Sequence, residues 1–359
     1  MTEGSDPPTI VSDDDAPARG TPPYDALLVV SFGGPERPSD VDPFLENVLR
    51  GKRVPAERLE EVKAHYLLFD GVSPINQQCR ALLAALIAEL NAHGPHWPVY
   101  WGNRNWHPML ADTLRQMTED GVRRVLAFVT SAFGSYSGCR QYQEDIEAAC
   151  RDAGPEAPKV DKLRLFFNHP GFVEPMAERA RSAFDRLDEN QRRQARLVFT
   201  AHSIPTAMAE CCEYENQLRE SCRLVAEILQ RPEWDLVYQS RSGPPQQPWL
   251  GPDINAHLRT LREMGGASHV VLVPIGFLCE HMEVIYDLDV ETAGVCRELE
   301  LGMVRAAPVG THPRFIRMIR ELIEERIDPN APRLALGPLG PSPDACPPGC
   351  CRTSSRRDR

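Results

Sequence analysis

One histidine, a row of acids and a knot of cysteines carry the latent chemistry of this chain. His202 directly follows the apolar run RLVFTA. A side chain at the carboxyl end of a buried strand projects into the crevice where α/β proteins bind ligands. A neutral imidazole there accepts a proton or binds a metal near pH 7; the plainer role is a strand cap bonded to backbone. In EHMEVIYDLDVE, residues 280–291, Glu283, Asp287 and Glu291 stand at i, i+4 and i+8. On a helix those positions share one face, with neighbours about 5–6 Å apart. Like charges so spaced repel unless a cation passes along them. A solvated face is the ordinary explanation, but Val284, Ile285, Tyr286 and Leu288 lie between the acids. A helix this apolar is largely buried, and buried carboxylates need a partner such as a metal ion. Three of the 11 cysteines, Cys346, Cys350 and Cys351, crowd into the last fourteen residues.

These groups need a scaffold. Short apolar runs at 26–32, 98–102, 124–130, 163–167, 196–201, 235–239, 269–275 and 303–307 predict eight buried strands. Between them, EVKAHYLLF, ALLAALIAELNAH, HPMLADTLRQM and INAHLRTLREM repeat apolar residues at helical spacing. Ser39 and Asp253 stand where helix caps belong. Continuous apolar strands alternating with helices imply parallel sheets covered on both faces. The predicted fold class is α/β, with two Rossmann-like domains, each a four-stranded parallel sheet flanked by helices. The expected division is 24–175 and 176–310, with a helix over 312–327 packing back on the first. Residues 1–23 read as a disordered tail, and 329–359 as a proline-rich tether with a cysteine-rich end. Polar and aromatic groups interleave at the predicted mouth: Arg50, Lys52 and Arg53 in LRGKRVP, then Tyr66, Ser73 and Tyr142. That suits a large flat ligand with polar edges.

The chain has 359 residues, 40 Lys and Arg against 51 Asp and Glu, and a net charge of −11. That balance disfavours a nucleic-acid binder. No apolar run approaches the roughly 18 residues of a membrane span. Eleven scattered cysteines argue for a reducing, cytoplasmic setting. No glycine turn has the GxGxxG or Walker pattern, so no nucleotide is indicated.

From Tyr24 to Ile327, the ordered segments LLVVSFGGPE, GKRVPAERL, DGVSPINQ, GNRNWHP, TSAFGSYSGCRQY, TAHSIP, QSRSGPPQQPWLGPD and PIGFLCEHMEVIYDLD resemble the ferrochelatases, which insert Fe²⁺ into a porphyrin. The likeness is strongest to the actinobacterial type, which converts coproporphyrin III to coproheme III. The resemblance implies a lyase with the porphyrin in the cleft between the two domains. It implies that His202 and Glu283 are the catalytic pair and the site of the Fe²⁺ substrate. It further implies that Ser73, Tyr142, Tyr66 and Arg50 touch the porphyrin. Asp287 and Glu291 would form the metal's path. Two positions depart from the family pattern. Phe32 replaces an iron-ligating tyrosine of firmicute relatives, and His65 replaces an arginine before Tyr66.

The expected geometry sets His202 on one face of the porphyrin as general base, and Glu283 on the opposite side. Four thiolates hold a [2Fe–2S] cluster. The tail supplies Cys346, Cys350 and Cys351, and Cys139 of SYSGCRQY resembles the internal fourth ligand of cluster-containing relatives. Free thiols or a zinc site are the alternatives. Partners expected are the porphyrin, ferrous iron and, transiently, neighbouring haem-pathway enzymes. Protoporphyrin IX as substrate, or a non-catalytic haem carrier, are the competing functions. A cobalt or nickel chelatase is disfavoured because the cleft motif carries His281 beside carboxylates rather than paired histidines.

Overall fold

The computed structural model describes residues 23–51, 54–244, 246–347 and 349–352. The expected N-terminal tail therefore lies outside the described residues except for Pro23, as do Lys52 and Arg53. Two four-stranded parallel sheets organise the chain. The first contains β1 (Ala26–Ser31), β2 (Val99–Asn103), β3 (Arg124–Val129) and β4 (Lys159–Lys162), in the order β2-β1-β3-β4. The second contains β5 (Ala195–His202), β6 (Trp234–Gln239), β7 (His269–Val273) and β8 (Gly302–Arg305), in the order β6-β5-β7-β8.

Burial on both faces explains the apolar strands. All six residues of β1 are buried. Leu27 and Val29 face a core shared with Leu86 of helix Ile75–His93 and Phe172 of helix Pro170–Phe184. Ala26, Leu28 and Val30 face a second core with Leu114 of helix Leu110–Glu119 and Ile146 of helix Gln141–Ala153. The first core continues into Leu197, Phe199 and Val271 of the other sheet. One apolar mass thus joins both sheets, and the expected division at 175–176 falls inside helix Pro170–Phe184.

Two local expectations are corrected and a third holds. The fourth strand is Lys159–Lys162, not 163–167. An edge strand is half solvated, so KVDK serves, while the following LRLFF is buried for another reason. Leu163 still donates its N–H to the carbonyl of Ala127 at 2.9 Å, and Phe166 and Phe167 then plug the shared core. Ser39 caps nothing; it lies in a 3-10 turn, Pro38–Asp40, before helix Val41–Leu49. Asp40 accepts instead from the Glu36 N–H at 3.2 Å and from Arg37 at 2.7 Å. Asp253 does cap its helix, Ile254–Glu263, accepting from Asn255 and Ala256 N–H groups at 2.9 and 3.1 Å.

The proline-rich segment is docked rather than loose. Asn168 donates from Nδ2 to the carbonyls of Leu336 and Gly340 at 3.1 and 2.8 Å, and Leu336 N–H returns a bond to the Asn168 carbonyl. Arg333 pairs with Asp344 at 2.7 Å. Composition signals a linker, but a buried asparagine anchors this one. Helix Pro313–Ile327 packs on helices Pro170–Phe184 and Ile75–His93, where Arg320 pairs with Glu89 at 2.9 Å. Among the described residues, no helix is long and apolar enough to cross a membrane.

Candidate active site

β5 and β7 are neighbours in the second sheet, so their carboxyl ends open side by side. His202 closes β5, paired with Gln239 of β6. Its ring is held from behind: Nδ1 lies 2.5 Å from the Ser203 carbonyl oxygen. That contact makes Nδ1 the protonated nitrogen and leaves Nε2 with a free lone pair. Ser203 is itself locked, its N–H on the Gln239 carbonyl and its hydroxyl on the Leu250 carbonyl, each at 2.8 Å.

The chain leaving β7 supplies the acids. Met282–Ile285 is α-helical, Tyr286–Thr292 is a π-helix and Ala293–Glu298 returns to α. Val284 and Leu288 anchor this segment in the core of the second sheet, and Met282 inserts among Phe44, Leu45 and Tyr66 of the first lobe. The acids beside those anchors keep part of their surface open: Glu283 and Asp287 are half-buried and Glu291 is exposed. π-Turns are uncommon and recur at functional sites.

Nε2 of His202 stands 3.8 Å from Oε2 of Glu283, and both side chains remain substantially exposed, at 36% and 43%. This corrects the expected opposition across a porphyrin. A flat macrocycle between two groups needs about 7 Å, two van der Waals contacts. The pair therefore occupies one wall, because both groups come from adjacent strands of one sheet.

Surrounding protein raises the Glu283 carboxyl above its ordinary value, through desolvation first, with Asp287 adding repulsion and His202 opposing. Asp287 is raised by burial too, although Gln239 donates to it at 3.2 Å and the Ser240 hydroxyl also bonds it. Glu291, at the exposed end of the row, is raised by burial and by Asp287. A raised carboxyl pKa means the folded state holds its proton more tightly than the unfolded chain. Stability contributed this way is present at low pH and is lost as pH rises through the raised value. Glu283→Gln is accordingly expected to keep or raise the melting temperature at pH 7 while lowering metal-dependent turnover. A fall in both would place Glu283 among purely structural groups.

The first lobe closes on this segment. The Met282 N–H donates to Oγ of buried Ser73 at 3.3 Å. Tyr66 is buried edge-on to Phe44 at 5.7 Å, and its hydroxyl is pushed up by burial and by the charge of Glu283. His65 stacks on Tyr286 at 3.7 Å. Arg50 is exposed and bonds Asn47 at 2.6 Å. Tyr142 is only 5% exposed, with the Arg104 guanidinium 4.4 Å above its ring. It supports Arg104 and offers no open face, because helix Gln141–Ala153 turns it into the second core.

The cysteines converge. Cys139, in the π-turn Tyr136–Arg140, shares a hydrogen bond with Cys346, which pushes the Cys139 thiol up and the Cys346 thiol down. The Cys350 and Cys351 sulfurs are 3.4 Å apart. Lys162 places its ammonium 3.4 Å from the Cys139 sulfur. Among the described residues, no three His, Cys, Asp or Glu groups form a compact set for a single ion. Cys346 also bonds Cys350, so the four thiols follow one another in a single chain of contacts.

Sequence reading missed Lys162, Tyr286 and the Gln239–Ser240 brace. Ser240 alone carried a signal in the sequence: it directly follows the apolar run 235–239.

Residues 24–327 match the family described as Ferrochelatase. The chain is 54% identical over 336 residues to a protein named Ferrochelatase from Rhodopirellula baltica, covering 94% of this chain and 95% of that one. It is 50% identical over 355 residues to the Coproporphyrin III ferrochelatase of Streptomyces griseus, covering 93% and 94%. It is 49% identical over 348 residues to the protein of that name from Nocardia farcinica, covering 92% and 97%. Among solved structures, SirB from Bacillus subtilis with Fe³⁺ is similar in fold, with a TM-score of 0.50 at 13% identity, covering 85% of this chain and 99% of that one.

Proposed function

Because the chain belongs to the ferrochelatase family, we propose that it is a lyase inserting Fe²⁺ into coproporphyrin III to give coproheme III, with His202 and Glu283 carrying the reaction. The observation that carries the residue assignment is the open pair, Nε2 to Oε2 at 3.8 Å.

Metalation exchanges two pyrrole N–H protons for one Fe²⁺. A porphyrin lying against this wall presents its nitrogens to both groups on one face. His202, with Nδ1 already engaged, takes a proton at Nε2. Glu283 takes the second proton. Asp287 and Glu291 lead from that point to the exposed end of the row. A resident metal is held by about four protein ligands; a pair holds a substrate ion loosely enough to surrender it to four nitrogens. In this reading Arg50 meets the porphyrin directly, while buried Ser73, Tyr66 and Tyr142 act from behind the wall, through Met282, Phe44 and Arg104.

Cys139, Cys346, Cys350 and Cys351 would hold a [2Fe–2S] cluster. Bound there, it would supply a one-electron couple and a covalent clasp between the tail and the first lobe. Purified protein should be brown and carry iron and sulfide beyond the substrate site. Cys139→Ser should bleach it. A colourless wild-type protein containing zinc would overturn the cluster. Cytoplasmic residence, and passing contact with the enzymes that supply the porphyrin and use the product, complete the proposal.

The deciding experiment is anaerobic mixing of Fe²⁺ with coproporphyrin III and, separately, protoporphyrin IX. Catalytic loss of fluorescence with the first, faster than with the second, is the expected result. Faster turnover of protoporphyrin would overturn the substrate choice. Binding of either without turnover would make the protein a carrier.

A further inference from the structure

A groove of about 380 Å³ opens beside the carboxyl end of the edge strand β8. One wall is a helix face: Arg179, Ser182, Ala183 and Arg186 follow at i, i+3, i+4 and i+7 along Pro170–Phe184 and the turn beyond it. The other wall is Glu280, Arg305, Ala306 and Ala307. The alanines leave the space; the charged groups define what fills it.

Arg305 is committed, pairing with Glu280 at 2.9 Å and Asp289 at 2.7 Å. Arg179 and Arg186 are not. Arg179 donates only to the Val309 carbonyl at 3.4 Å, and its Nε is buried without an acceptor. Arg186 bonds only the Arg305 carbonyl. Among the described residues neither has a carboxylate partner. Three guanidiniums and one carboxylate line the groove. Guanidinium forks without a carboxylate partner suit an oxyanion.

We infer that this groove binds a small multivalent oxyanion. Its anionic oxygens lie on Arg179 and Arg186. Hydrogen phosphate and a polycarboxylate such as citrate share that chemistry. The site is independent of the metalation reading, because its test reads binding rather than turnover.

The test is calorimetric titration of the full chain with inorganic phosphate and, separately, citrate at low ionic strength. One equivalent is expected to bind with a Kd of about 1 mM or tighter. Loss of both forks in Arg179→Ala/Arg186→Ala should weaken binding about tenfold or more. Ser182→Glu keeps both arginines but sets a carboxylate in the groove, and should weaken binding comparably. It carries the test if the double variant fails to fold by thermal melting. Tighter phosphate or tighter citrate names the source, and either supports the site. No saturation by either anion below about 10 mM, or unchanged affinity in a folded variant, would overturn it.

Discussion

His202→Ala is expected to slow metalation by about 10²–10⁴-fold, the usual worth of a positioned general base, while leaving porphyrin affinity nearly unchanged. The ring is committed on one side to the Ser203 carbonyl and open on the other toward Glu283. No neighbour replaces it. His281 is held neutral, its pKa pushed down to about 4 chiefly by burial, but its ring packs at 5.2 Å against Phe277. Single-turnover absorbance would read the chemical step and fluorescence titration the porphyrin. His202→Gln separates proton transfer from packing: it fills similar space and keeps a hydrogen bond but accepts no proton. Both variants should be slow. Recovery in the glutamine variant would reduce His202 to a spacer, and parallel loss of porphyrin affinity would make it a binding group.

Glu325→Ala is expected to lower stability by about 3–5 kcal/mol, the cost of leaving a buried charge unpaired. Arg164 and Glu325 are each 1% exposed and joined twice, Nε to Oε2 at 2.6 Å and Nη2 to Oε1 at 2.8 Å. The same guanidinium donates to the Leu334 carbonyl at 2.8 Å. One pair thus joins the exit of the first sheet, helix Pro313–Ile327 and the docked tail. Urea denaturation would read the global loss, and limited proteolysis across 329–345 the release of the tail. Replacing both partners by apolar residues, Arg164→Met with Glu325→Leu, should cost far less, since no charge is stranded. Equal losses in the single and double variants would show that packing volume, not the ion pair, matters here.

Local physics was legible in the sequence. β1 reads ALLVVS because it is covered on both faces, and the same logic identified seven of the strands. Asp253 announces its helix because a carboxylate before an apolar period meets free N–H groups. The acids at 283, 287 and 291 could be read as a row because helical spacing needs only neighbours in sequence. The fourth strand was missed for the complementary reason. LRLFF satisfies a demand for burial, and burial alone does not specify hydrogen-bonding partners.

Only the tertiary structure decided what meets what. His202 and Glu283 share a wall because β5 and β7 are adjacent in the sheet, an order set by crossovers through residues 203–268. Tyr142 turns into the core under Arg104, and His65 reaches Tyr286, for the same kind of reason. Cys139 finds the tail thiols because Asn168 and Arg164 hold a segment whose composition promises freedom. Hydrophobic period and capping are local and are written in adjacent residues. Proximity between distant residues follows from strand order and a few buried polar anchors, which no window of the sequence contains.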